Sequence, residues 1–410
     1  MSGRRPDAAD PQSGWTDRML ELVVGPVAHG GHCVARAGDD GRPAGPGAGR
    51  VVFVRHALPG ERVHAVVTED GGGGFCRADT VTVLEPSPDR VEPPCVWAGP
   101  GGCGGCDFQH ATPSAQRDLK TAVLREQLER LAGKAAELSR VPFGDVVVEE
   151  LPGGPLGWRT RVRLAVDDAG VPGLRAHRSH DVCEIADCPL VPGDALEPVL
   201  AQRFRPGADV DVAVTGDGVA RVDAPTTGHA AGRTWDLSPG TFWQVHPALG
   251  DTLAGVVADW ADAPACGVAW DLYGGVGLLG SVLARQVGPG GRVLVVESSP
   301  SAVSDGRAAL ADLPQVEFVQ GRAEREIARL RPDPDVVVTD PPRTGLGRAA
   351  VRDLAARAPH RVVHVACDPA ALGRDLGLFA EHGYRVGALR AFDAFPMTHH
   401  MEAAALLERA

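Results

Sequence analysis

Apolar positions along the chain fall into three regimes, and each predicts a different kind of element. Between Leu20 and Leu84, short β-branched stretches (LVVG, RVVFVRHAL, RVHAVVT and TVTVL) alternate with GDDGRPAGPGAG and DGGGG. Strands this short, separated by glycine-rich turns, predict a small OB-like β-barrel over 16–86, with the glycine runs at 45–49 and 71–74 as hairpin loops. Pro86, Pro88, Pro93 and Pro94 then form a stiff exit.

The second regime, 87–235, opens with a cysteine-rich loop that leads into a helix. There Leu119, Val123, Leu124, Leu128 and Leu131 recur near helical spacing, and Thr112 or Ser114 can cap the start. Strand-like pieces (DVVVEEL, RTRVRLAV, VDVAVTG) mixed with turns follow and predict a mixed central domain. In the third regime, 236–410, apolar runs (GVAWDLY, RVLVVES, VEFVQG, DVVVTD, RVVHVAC) alternate with helix-like stretches. That rhythm predicts an α/β Rossmann-like domain, a mostly parallel sheet covered on both faces, whose ligands bind at the carboxyl ends of the strands.

Charge changes this picture in one respect. The formal net charge of −12 has the wrong sign for a surface that binds polyanions throughout, so any nucleic-acid contact must rest on local patches. Trp158-Arg159-Thr160-Arg161-Val162-Arg163 and Arg175-Ala176-His177-Arg178-Ser179-His180 are the candidates for phosphate contact, with a solvated charged strand as the plain alternative. The barrel's aromatics are essentially Phe53 and Phe75, which favours recognition of shape and backbone over base stacking. The chain has no apolar window long enough for a membrane span and no apolar stretch behind its first arginines, so a cytoplasmic protein, working as a monomer, is expected.

Nine cysteines are too few for a disulfide framework. Cys95, Cys103 and Cys106 form C-x7-C-x2-C, and Cys188 in IADCPLV is the expected distant fourth ligand, with Cys183 as its competitor. Four thiolates suit zinc or a four-iron four-sulfur cluster, and spacing does not separate the two. Cys33, Cys76 and Cys266 read as unligated thiols.

The first apolar run of the third regime ends in DLYGGVGLLG, where Gly275, Gly277 and Gly280 match G-x-G-x-x-G, and the next ends at Glu297, a carboxylate able to accept two ribose hydroxyls. This much fits a nicotinamide cofactor equally well. The third element, DVVVTDPPRTGLG, sets Asp340, Pro341, Pro342 and Arg343 directly after an apolar strand, a rigid turn used by methyltransferases that act on nucleobases and not by dehydrogenases.

In order along the chain, VVFVRHALPGERVHAVV, EPSPDRVEPPC, CGGCDFQH, GTFWQVHP, VACDP and FPMTHHMEAAALLER resemble the RNA uracil-C5 methyltransferases that carry an N-terminal TRAM domain. The resemblance covers nearly the whole chain. It implies a class I S-adenosylmethionine-dependent enzyme in which Gln244, Tyr273, Glu297 and Asp340, with Gly275 and Gly277 in the turn, bind the cofactor. Cys367 would be the nucleophile and Glu402 the base. The resemblance also favours iron–sulfur over zinc at the four cysteines, and ribosomal or transfer RNA as the partner. Leu278, Arg322 and Ala366 depart from the family's usual small polar, acidic and serine residues.

The chemistry explains the residue types. Carbon 5 of uracil is a poor nucleophile until a thiolate adds to carbon 6, and a free thiol, with a pKa of about 8.5, needs help to ionise. Cys367 follows the strand-like RVVHVA and precedes the helix-like ALGRDLGLF, so a helix N-terminus is expected to favour its thiolate. The carbon 5 proton must then leave to a general base, and Glu402 precedes AAALL, an end strand that would return it to the sheet. His399 and His400, being adjacent, point to opposite faces of a strand and suit positioning better than metal binding. Two other readings remain at this stage: a nicotinamide-dependent iron–sulfur oxidoreductase, and an RNA-binding protein with an inactive catalytic domain.

Overall fold

A computed structural model describes residues 14–38 and 49–409; positions 45–48 of the first glycine run lie outside them. The chain divides into two units, 1–115 with 397–399, and 116–396 with 400–410.

In the first unit, β1 (Met19–Ala28), β2 (His32–Arg36), β3 (Val51–Arg55), β4 (Arg62–Glu69) and β5 (Phe75–Glu85) close into a barrel in the order β1-β2-β3-β5-β4. Alternation decides which side chains fill it: Val52, Val54, Val63, Ala65, Val67 and Ala78 point inward and are fully buried. Buried Glu61 is held by Arg90 through Nε at 2.6 Å and Nη2 at 2.7 Å. The segment 397–399 belongs here because Met397 O accepts from Asp107 N and Phe108 N, and His399 Nδ1 lies 2.6 Å from Asp107 Oδ2.

The second unit carries the helices α1 (Pro113–Leu131, from Gln116), α2 (Lys134–Leu138), α3 (Glu197–Leu200), α4 (Leu249–Ala261), α5 (Leu278–Val287), α6 (Pro300–Ala309), α7 (Ala323–Glu326), α8 (Gly347–Ala355) and α9 (Pro369–Glu381). Its smaller sheet is antiparallel, built on β7 (Arg161–Val166), β8 (Pro172–Arg175), β9 (Val182–Cys183), β10 (Asp209–Val214) and β11 (Ala220–Val222), in the order β11-β10-β7-β8-β9; β12 (Thr226–Ala230) and β13 (Arg233–Leu237) form a hairpin. The large sheet takes β6 (Val148–Glu149), β14 (Val268–Leu272), β15 (Arg292–Glu297), β16 (Val316–Gln320), β17 (Val336–Thr339), β18 (Arg361–Ala366), β19 (Tyr384–Phe392) and β20 (Glu402–Arg409) in the order β16-β15-β14-β17-β18-β20-β19-β6.

β16, β15, β14, β17 and β18 pair in parallel, and β20 inserts antiparallel between β18 and β19. This is the doubly wound α/β sheet that the alternating apolar runs predict. Period-2 alternation sends Val293 and Val295 of β15 to the face covered by α4 and α5, and Leu294 and Val296 to the face covered by α1, α8 and α9. Strand order reverses at β14, which opens a crevice at its carboxyl end. A buried ion pair fixes the chain beside that crevice: Lys120 Nζ donates to Asp393 Oδ1 at 2.5 Å and to Phe395 O at 3.0 Å. Among the described residues, no helix is long and apolar enough to cross a membrane.

Candidate active site

The crevice is built from four strand ends. After β14 the chain turns through Tyr273, Gly275 and Gly277, all at positive φ (61°, 54° and 80°), before entering α5. A Cβ on Gly277 would stand 2.8 Å from Phe318, so both the backbone and the space require glycine. Tyr273 holds the left-handed conformation at a cost of about 1–2 kcal/mol, a strain that is characteristic of functional turns. Its hydroxyl donates to Glu324 Oε1 at 3.0 Å, and burial, reinforced by Glu324, pushes the phenol's pKa upward.

Beneath the turn, fully buried Asp271 accepts from Gly280 N at 2.7 Å, and burial pushes its carboxyl up to about 7. From the end of β15, Glu297 accepts from Gly275 N at 3.1 Å and Ser299 N at 2.6 Å, which aims the carboxylate along the turn. A third support comes from α6, where Asp305 accepts from Ser238 N, Ser238 Oγ and Thr241 Oγ1 at 2.7 to 2.9 Å and so fixes the loop that carries Phe242 and Gln244.

The strand pair β18–β20 brings Cys367 and Glu402 together. Ala366 is paired with Ala403, so Cys367 leaves β18 at the level where Glu402 opens β20. Asp340 and Arg343 follow β17 on the other side, and Arg343 Nη2 lies 3.1 Å from His400 Nε2. Gln244, Tyr273, Gly275, Glu297, Asp340, Arg343, Cys367, His400 and Glu402 all line one cleft of about 590 Å³. An adjoining recess of about 50 Å³ reaches Asp271 and Leu279.

Burial pushes the Asp340 carboxyl up to about 6. Burial also raises Glu402 well above its ordinary range, with Asp340 adding to the effect and Arg343 opposing it. Glu402 Oε1 is buried with no hydrogen-bond partner. Cys367 is pushed up to about 12 by burial first, then by Glu402 and Asp340, against the pull of Arg343. The expected helix N-terminus follows Cys367 directly, with Asp368 capping α9 by accepting from Ala371 N at 2.7 Å, and burial outweighs what that helix end contributes to ionising the thiol.

Beside the cleft, and sharing Gly240, Phe242 and Val245 with it, runs a groove of about 370 Å³ lined by Arg159, Arg161, Arg163 and Arg221 together with Asp211 and Asp223. Phe242, 64% exposed, stands between cleft and groove. Only the first of the two basic stretches enters this groove; Arg175 is paired with Asp209 at 3.0 Å. Arg322, one of the departures from family pattern, is exposed and lies 3.8 Å from Glu324.

The expected cysteine site does not appear as a metal centre: among the described residues, no group of three or more His, Cys, Asp or Glu is arranged to hold a metal ion. Cys103 Sγ accepts from Gly105 N at 3.4 Å and Cys106 Sγ from Gln109 Nε2 at 3.0 Å, while Cys188 is buried. Sequence reasoning left Asp271, Phe242 and Asp305 without a role. Asp271 was signalled by its place at the end of an apolar strand, but nothing local marks Asp305, which acts across 64 residues of sequence.

The sequence model of the tRNA (uracil-5-)-methyltransferase family matches residues 321–410, the stretch that carries Asp340, Arg343, Cys367, His400 and Glu402. An uncharacterized RNA methyltransferase of Streptomyces coelicolor is 43% identical, over 95% of this chain and 93% of that protein. One of Streptomyces avermitilis is 44% identical, over 95% and 98%. The crystal structure of Pyrococcus abyssi tRNA (uracil-54, C5)-methyltransferase in complex with S-adenosyl-L-homocysteine superposes with a TM-score of 0.67 at 19% identity, covering 95% of this chain and 99% of that one; it shows a shared fold.

Proposed function

The chain belongs to the RNA uracil-C5 methyltransferase family and is a methyltransferase, and from that premise we propose that it methylates carbon 5 of a uridine in ribosomal or transfer RNA, using S-adenosylmethionine. The observation that carries the reading is the strand register that sets Cys367 beside Glu402, with Asp340 and Arg343 in the same cleft.

The residues suit the cofactor. A cleft walled by Glu297, Asp340 and Glu402 favours a cation, and the space where a Cβ of Gly275 would stand is open. Glu297 would hold the ribose hydroxyls, and Gln244, Tyr273 and Asp340 the rest of the molecule. S-adenosylmethionine, when bound, supplies an electrophilic methyl group beside a positive sulfonium. Positive charge in this cleft favours the ionised forms of Cys367, Asp340 and Glu402, each of which burial disfavours.

Cys367 gives its proton to solvent and its thiolate bonds to carbon 6 of the uracil, moving the pair of the carbon 5–carbon 6 double bond onto carbon 5 and the neighbouring carbonyl oxygen. Arg343, facing both Cys367 and Glu402, stabilises negative charge at either. Once carbon 5 carries the methyl group, the unpartnered Oε1 of Glu402 takes the carbon 5 proton, the double bond re-forms, and the thiolate departs. The arginine groove, opening on the same cleft past Phe242, would guide the flanking RNA by its phosphates.

Incubation of the full-length protein with methyl-labelled S-adenosylmethionine and separate transfer and ribosomal RNA fractions, followed by digestion to nucleosides, tests this. Label in 5-methyluridine from one fraction is expected. Label confined to another nucleoside would overturn the assignment.

A further inference from the structure

Asp340 and Arg343 follow β17 and Cys367 follows β18, and one buried line of polar side chains stands behind all three. Thr339, the last residue of β17 and directly before Asp340, places Oγ1 2.8 Å from Nδ1 of His364. His364 lies in β18, three residues before Cys367, and is fully buried against Phe379. Its Nε2 stands 3.5 Å from Oδ2 of Asp375 in α9. Asp375, also buried, accepts from Leu346 N at 2.7 Å and Gly347 N at 3.1 Å, the backbone that ends the loop carrying Arg343. Gly345 in that loop has φ +77°, and a Cβ there would meet Asp375 Oδ2 at 2.4 Å, so the loop is folded directly onto this carboxylate.

Asp375 approaches Nε2 without hydrogen-bonding to it, so that link is one of charge, which favours the imidazole proton on Nε2 and leaves Nδ1 to accept from the Thr339 hydroxyl. Burial lowers the imidazole below its usual range, in keeping with a neutral ring. Polar groups buried this deeply are expensive in an apolar core, the more so because His364 Nε2 has only the charge contact with Asp375, and apolar side chains of similar volume would pack as well. The backbone ladder already sets β17 against β18, with Thr339 opposite His364; what the side chains add is a tie between that pair and the end of the loop 341–347.

We propose that Thr339, His364 and Asp375 are positioning residues that hold the Asp340–Arg343 turn in register with Cys367 for the covalent step. The inference rests on the reading of Cys367 and Arg343 given under Proposed function. None of the three lines the cleft, so they act through the residues that do.

The test uses full-length Thr339→Val, His364→Phe and Asp375→Asn with RNA carrying 5-fluorouridine, measuring the single-turnover rate of adduct formation, S-adenosylmethionine affinity by equilibrium dialysis, and melting temperature. Each variant is expected to slow adduct formation tenfold or more while cofactor affinity stays within about twofold. The Thr339→Val and His364→Phe losses should be less than multiplicative in the double variant, because both cut the same line. Should His364→Phe fail to fold, Thr339→Val, which removes only the hydroxyl, decides alone. Variant rates within twofold of wild type, or losses that follow cofactor affinity, overturn the inference. Absence of adduct from the wild-type protein instead overturns the underlying reading.

Discussion

Cys367 and Glu402 lie across from one another at the open end of a strand pair, a placement fixed by the antiparallel register Ala366 to Ala403. In the proposed reaction, nucleophile and base thus come from neighbouring backbone positions in one sheet, and a uracil would need only to enter between Cys367 and the buried, unpartnered oxygen of Glu402. Burial disfavours the charged form of both, so the ionisation of the cleft and its occupancy by a cation are linked.

That link gives a pH dependence. With the thiol pushed up to about 12, the reactive thiolate is scarce at neutral pH and grows by about tenfold per pH unit below the pKa. Iodoacetamide labelling of Cys367 in cofactor-free protein, read by peptide mass, should therefore be slow at neutral pH and climb steadily into the alkaline range. Addition of S-adenosylmethionine, a cation, should accelerate it at neutral pH. Rapid labelling of the cofactor-free protein at neutral pH contradicts the account.

Replacing Glu402 by glutamine keeps the shape but removes the proton acceptor. The variant should form the covalent intermediate yet release 5-methyluridine about 10²–10⁴-fold more slowly. Stability should move the other way. A carboxyl whose folded pKa is raised contributes stability at low pH that is lost as pH rises through that value, so the glutamine protein should melt above wild type by a margin that widens with pH. Equal melting temperatures at all pH values would deny that Glu402 is destabilised by its burial.

The groove makes its own prediction. Arg159→Ala and Arg221→Ala should each reduce the salt dependence of RNA binding by about one unit of log Kd per log salt, weakening different RNAs alike. An unchanged slope in both variants would move the RNA elsewhere.

Much of this site was legible in the residues because its parts are local. G-x-G-x-x-G marks a turn that needs positive φ, the Asp340-Pro341-Pro342 turn follows an apolar strand, and Glu402 precedes one. The fold class was legible for a similar reason, since apolar runs alternating with helical stretches admit few arrangements. What could not be read is long-range: Asp305 bracing Ser238 and Thr241, the line from Thr339 through His364 to Asp375, and the burial that pushes the Cys367 thiol upward. A helix N-terminus does follow Cys367, capped by Asp368, but burial, with Glu402 and Asp340 beside the thiol, pushes its pKa upward. The glycine turn left a nicotinamide cofactor open, and membership of a methyltransferase family, not the turn, decides against it.

The most direct test of the central claim is trapping. Fluorine at carbon 5 leaves no removable proton, so RNA containing 5-fluorouridine, incubated with the protein and S-adenosylmethionine, should give a protein–RNA adduct that survives denaturation and whose linked peptide contains Cys367. Cys367→Ala should give none. An adduct formed as readily by the alanine variant would contradict the assignment of Cys367 as nucleophile.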